Sequence, residues 1–129
     1  MTETIMKKER PKHLDLRVIK QPLPAIASIL HRVSGAGLFL MLPFLIYLFE
    51  LSLDSSLGFN IFKAFVAYPL VKLILIGLLW AFLHHFCMGI RILLLDMNMG
   101  TDLKPARTSA KVVMVVSLAL TAILGAKLW

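Results

Sequence analysis

The chain is predicted to be an all-α membrane protein built on three transmembrane helices. Three observations carry this. Hydrophobic residues make up 59% of its 129 positions, against about 45–50% in soluble domains. They gather in three long runs, and the charged residues, 16% of the total, collect between those runs. At this length a single domain is expected. The net charge of +7 sits mainly outside the apolar runs, where it suits topology and lipid headgroups. No basic patch is interleaved with stacking aromatics, so nucleic acid is not an expected partner.

Residues 1–22 form a polar tail in which Lys7, Lys8, Arg10, Lys12, Arg17 and Lys20 outnumber Glu3, Glu9 and Asp15. The excess of positive charge places it in the cytoplasm. It contains no apolar h-region, so no cleavable secretory signal is expected. Pro22 and Pro24 open the first helix, about 24–53, because proline is tolerated in a first turn. Its stretch Val33–Leu53 holds 21 residues with one charge, Glu50, close to the ~20 needed to cross a bilayer. Pro43, mid-helix, is expected to bend it. Residues 54–60 are short, turn-rich and without positive charge, which suits the outer side.

The second helix is expected over about 61–95, with Pro69 early and Lys72 snorkelling outward. Residues 96–108, with Lys104, Arg107 and the nearby Lys111, return the chain to the cytoplasm. The third helix, about 109–128, has 15 uncharged residues between Lys111 and Lys127. At 1.5 Å per residue that is about 22 Å, short for a ~30 Å hydrocarbon core, so both lysines must snorkel. The C-terminus then lies on the outer, periplasmic side. The lone Cys87 excludes an internal disulfide and a Cys-based metal motif, and reads as a small packing residue.

Against this apolar background the polar residues of Ala81–Arg91 stand out, because an ionisable group at bilayer depth is costly and marks a site by default. His85, Gly89, Ile92 and Asp96 share one helical face, while His84, rotated by about 100°, lines up with Met88 and Arg91. One histidine can address a given ligand; both cannot. Gly89, one turn from His85, leaves room for a flat ligand. On the first helix Ser28, His31, Arg32 and Gly35 fall at i, i+3, i+4 and i+7, again on one face. Taken singly each has a plainer role: Ser28 bonding back to its own helix, Arg32 anchoring the positive side, His31 resting among headgroups, Asp96 marking a helix stop. Topology brings the two clusters to the same membrane face, with His85 about 16 Å deeper than Asp96 and Arg32 and Arg91 nearer the interface. That layout suits a buried cofactor whose anionic groups point to the cytoplasm.

Arg10-Pro11 followed by Leu14-Asp15-Leu16, then Ser28-Ile29-Leu30-His31-Arg32-Val33-Ser34-Gly35, then His85 with Gly89-Ile90-Arg91 and Asp96, resemble the cytochrome b membrane-anchor subunits of bacterial succinate dehydrogenase, respiratory complex II. The resemblance spans nearly the whole chain. It implies a three-helix anchor that is half of a helical bundle, completed by a second small anchor subunit in the bacterial inner membrane. It further implies His85 as an axial ligand of haem b iron, His31 and Arg32 near the haem propionates, Ser28 and Arg32 in a ubiquinone pocket beside the iron–sulfur subunit, and Asp96 close to that pocket. The second axial ligand would come from the companion anchor. The family often carries histidine directly after the Gly-Ile-Arg arginine, where this chain has Ile92, and His84 is an additional imidazole to which no role transfers.

The implied activity is passage of electrons from succinate, through the flavoprotein and iron–sulfur subunits, to ubiquinone. The chain has no flavin or iron–sulfur ligand set and would not itself oxidise succinate. A quinol:fumarate reductase anchor has the same architecture run in reverse. A small oligomeric proton-coupled transporter is a different class; Glu50, the only acid well inside a helix, lies near the outer end without a partner, which argues against it.

Overall fold

The computed structural model describes Asp15 and residues 17–129; residues 1–14 and Leu16, with the Arg10-Pro11, Leu14 and Leu16 positions of the motif, lie outside the described residues. Four helices follow in order: α1 Leu23–Asp54, α2 Ser56–Ala67, α3 Pro69–Asp96 and α4 Leu103–Leu128. Three of them, α1, α3 and α4, are long and apolar enough to cross a membrane.

Each boundary has a local cause. Pro24 lies in the first turn of α1, which continues unbroken through Pro43. The turn-rich segment expected as a loop over 54–60 is instead mostly helical, because Ser55 caps α2: its hydroxyl accepts a hydrogen bond from the Gly58 N–H at 3.0 Å, using one of the four free donors at a helix start. The single helix expected over 61–95 is two. Tyr68 has φ −66° and ψ 129°, the extended conformation that a following proline imposes, and Pro69 then opens α3 at its first position. The third spanning helix begins at Leu103 rather than near 109. Pro105 falls in its first turn, where its missing N–H costs nothing, so Lys104 and Arg107 lie on the helix and not in a loop. With 26 residues, α4 is about 39 Å long, and Lys111 and Lys127 sit exposed near its two ends.

The turn between α3 and α4 is a Schellman motif. The Asn98 N–H bonds the Leu95 carbonyl at 2.9 Å and the Met99 N–H reaches back to Leu94 at 3.0 Å. Asn98 has φ 59° and Gly100 φ 74°, left-handed positions that asparagine and glycine accept most readily.

α3 is the central element, packed against both α1 and α4. The core between them is small: Ala27, Met88, Ala110 and Val113, with Leu23, Cys87 and Ile92 at its margin. Ala27 and Ala110 are fully buried, and such small residues let helix backbones approach closely where lipid removes the usual hydrophobic drive. At the opposite end Lys72 Nζ lies 5.9 Å from the Trp129 ring centroid, joining the start of α3 to the end of α4. Large apolar side chains such as Phe39, Leu40, Phe49 and Val115 point outward, the arrangement of a protein whose surroundings are hydrocarbon or another apolar surface. Ala110→Leu is expected to overpack the α3–α4 contact and cost about 1–3 kcal/mol. It should lower the thermal midpoint of the purified, detergent-solubilised complex, whereas Val115→Leu on the outer face of the same helix leaves the midpoint unchanged.

Candidate functional site

The α1–α3 contact is built around His85. Its ring stacks on that of His31, with centroids 4.1 Å apart and planes 13° from parallel. Its Nδ1 lies 3.0 Å from the His31 carbonyl oxygen and 3.3 Å from Ser34 Oγ. A carbonyl only accepts, so this contact places the ring hydrogen on Nδ1, which donates to it. The Ser34 hydroxyl donates to the same carbonyl at 2.9 Å, leaving its oxygen to face Nδ1–H as an acceptor. Nε2 of His85 makes no hydrogen bond among the described residues and keeps its lone pair. A histidine whose Nδ1–H is held by a backbone carbonyl, with Nε2 open, has the tautomer and fixed orientation of a metal-ligating imidazole.

Gly35 makes this approach possible. A Cβ at that position would lie 2.7 Å from His85 Cε1, closer than real Cβ contacts allow, and a tight 3.1 Å from Nδ1. At Gly89 a Cβ would meet only His31 Nε2, at 3.9 Å, an ordinary van der Waals contact. Spacing along α3 points to Gly89 as the position that makes room beside His85; the glycine that the His85 ring itself requires is Gly35, on the other helix. Its place in the Ser-Gly pair after His31-Arg32 was visible in the sequence, but only the crossing of the helices shows what it faces.

The other polar residues separate. His84 is 0% exposed, stacks on Trp80 at 5.3 Å, and has no hydrogen-bond partner for either ring nitrogen among the described residues, so it belongs to the interior of the chain. Arg91 serves the α3–α4 contact. It is only 7% exposed and ties α3 to α4, its Nε donating to Ser109 Oγ at 2.9 Å and its Nη2 to the Ala106 carbonyl at 3.0 Å. Of the four residues sharing a face on α1, His31 and Gly35 meet α3, Ser28 is half-buried and Arg32 is exposed. Among the described residues neither the Ser28 hydroxyl nor the Arg32 guanidinium makes a hydrogen bond, whereas Ser34, Ser117 and Thr121 each bond back to their own helix. Asp96 is exposed in the last turn of α3, two turns beyond Gly89, and among the described residues no hydrogen bond joins it to Ser28 or Arg32. Among the described residues no three His, Cys, Asp or Glu side chains converge.

The sequence profile described as succinate dehydrogenase/fumarate reductase transmembrane subunit matches residues 6–124. The chain belongs to this family. It is 34% identical over 125 residues to the succinate dehydrogenase cytochrome b556 subunit of Coxiella burnetii, covering 96% of this chain and 100% of that protein. It is 31% identical to the cytochrome b556 subunit of Rickettsia bellii, with 90% of each chain covered. To the cytochrome b560 subunit of Marchantia polymorpha it is 32% identical over 93% of this chain and 90% of that one. With three spanning helices, this succinate dehydrogenase/fumarate reductase family member is a multi-pass membrane protein.

The geometry of His85 is open to direct measurement. In 15N-histidine-labelled protein, the His85 signal should be that of the Nδ1-protonated tautomer. Gly35→Ala should abolish that signal by displacing the ring, while Gly89→Ala retains it; an Nε2-protonated His85 in the unaltered chain would contradict the assignment.

Proposed function

We propose that this chain is a membrane-anchor subunit of a succinate:ubiquinone oxidoreductase, giving one axial ligand to a haem b and part of a ubiquinone-reduction site. The observation that carries the reading is the hydrogen bond from His85 Nδ1 to the His31 carbonyl, which orients the ring and leaves Nε2 as the donor atom for iron. The naming of the relatives as cytochrome b556 subunits of succinate dehydrogenase supports haem b as the group and succinate as the electron source. A haem b bound here would serve as a one-electron carrier. His85 would hold it, with His31 beside it and Arg32 compensating its propionate charge. The sixth ligand would come from a second, smaller anchor subunit, since His84 is enclosed in this chain's own core.

Quinone reduction requires two electrons and two protons. Electrons would arrive from the iron–sulfur subunit, itself supplied by the flavoprotein. Ser28 and Arg32 lie near the start of α1, where the side chains remain without partners among the described residues. The Ser28 hydroxyl can donate a hydrogen bond to one quinone carbonyl oxygen, and the Arg32 guanidinium can stabilise the negative charge that develops as electrons arrive. Asp96, exposed at the same end of the bundle, would sit on the aqueous route by which protons reach the site. This end carries Arg17, Lys20, Arg32, Arg91, Lys104, Arg107 and Lys111, against Lys63, Lys72 and Lys127 at the other. That bias supports a cytoplasmic N-terminus and periplasmic C-terminus in a bacterial inner membrane.

Two measurements test the reading. His85→Ala should remove the haem b absorption of the purified complex and His84→Ala should keep it; the reverse pattern would assign the ligand to the other imidazole. Arg32→Leu should slow succinate-driven quinone reduction on the order of 10²-fold, as loss of a charge-stabilising donor does, with succinate oxidation by an artificial acceptor intact. Unchanged quinone kinetics would remove Arg32 from the site.

A further inference from the structure

We infer that the lipid-facing side of the α3–α4 pair, at the end that carries the turn between these helices, holds an anionic phospholipid, its phosphate on Arg91 and an acyl chain in the groove below. The groove has a volume of ≈ 500 Å³, with Cys87, Ile90, Leu94, Met99 and Val112 among its apolar walls and Thr108, Ser109 and Arg91 as its polar members. Arg91 is a cation with 7% exposure whose described partners are all neutral: Ser109 Oγ, the Ala106 carbonyl and, at 3.8 Å, Met88 Sδ. Guanidinium carries five N–H groups. These three contacts use three of them, and two are left without a partner among the described residues. A nearly buried charge with spare donors and no carboxylate is incompletely compensated, and a bidentate phosphate is the anion that its planar fork fits best.

Three features commit the site to a lipid and not to a free phosphate. The walls are almost wholly apolar, which would repel an isolated anion but receive a hydrocarbon chain. Arg91 lies five residues before the end of α3, about 7.5 Å along the axis, within the interfacial depth at which headgroup phosphates sit. Lys104 and Lys111 are exposed on α4, the helix that supplies Thr108 and Ser109 to the groove, and basic residues on the positive side of a membrane protein recruit anionic headgroups. The groove also lies opposite the His85 site: Cys87, Ile90 and Leu94 are turned about 140–180° from His85 around α3. A subunit completing a haem site at His85 would approach from the other side of α3 from this groove, a point that rests on the function proposed above.

The test uses the purified complex, delipidated and then equilibrated with vesicles of equimolar phosphatidylglycerol and phosphatidylcholine, with retained lipid counted by native mass spectrometry. One phosphatidylglycerol per copy should be held at least about tenfold over phosphatidylcholine, the preference that one or two well-placed cations provide. Arg91→Gln should abolish the preference. Because that change also cuts the tie to α4, Val112→Trp provides the second arm: it fills the groove from an exposed position, leaves Arg91 and its partners untouched, and should displace the lipid from a folded complex. Equal retention of the two lipids, a preference that survives Val112→Trp, or displacement of the lipid by millimolar inorganic phosphate would each overturn the inference. Haem absorbance read on the same samples keeps the two proposals separate, since a preparation lacking haem yet retaining the lipid preference refutes only the reading of His85.

Discussion

The hydrogen bond from His85 to a backbone carbonyl of a neighbouring transmembrane helix is the contact around which the α1–α3 interface is arranged. It demands that two helices approach until a ring on one touches the main chain of the other. Gly35 allows it by having no side chain, and Ser34 reinforces it by donating to the same oxygen. Ala27, one helical turn nearer the α1 N-terminus than His31, is fully buried for a related reason: a larger residue would hold α1 off Met88. Within a membrane there is no water to complete the coordination of a polar side chain, so an imidazole either finds a protein partner or costs several kcal/mol. His85 finds one and retains a free lone pair. His84, one residue earlier, is enclosed without a partner among the described residues, and its stacking on Trp80 is the contact that places it.

The division of labour between the two sides of α3 follows from this. One side faces α1 and carries His85, stacked on His31 of α1; the other faces α4 and carries Arg91, whose bonds to Ser109 and Ala106 hold the helices together. A helix with polar groups on both flanks and apolar residues between them suits the middle position in a three-helix anchor. The remaining surface is rich in exposed Phe, Leu, Ile and Val, more than this chain covers by itself, in keeping with an environment of lipid and companion subunits.

Much of this was legible in the amino-acid order. Three apolar runs of bilayer length determine three spanning helices, because backbone polar groups in hydrocarbon must be satisfied within the segment. The helical period puts His85, Gly89 and Asp96 on one face and His84, Met88 and Arg91 on another, and separates the candidate ligand from its neighbour. Boundaries were less legible. A Ser55 cap and the Tyr68-Pro69 step create α2 and part it from α3, and the first turn of α4 takes in Lys104 and Pro105, because capping and proline geometry act on one or two residues and escape a reading based on long apolar windows.

What the sequence alone determined is the class of the protein, its spanning helices and the residues able to do chemistry, since these follow from hydropathy, period and side-chain type. What only the tertiary structure decided is which residues meet. Arg91, read from its position as a cation near the interface, turns to α4, and Gly35 proves to be the glycine that His85 needs. Such choices depend on the rotation of each helix about its axis and on how closely two backbones approach, quantities set by packing between segments far apart in the chain.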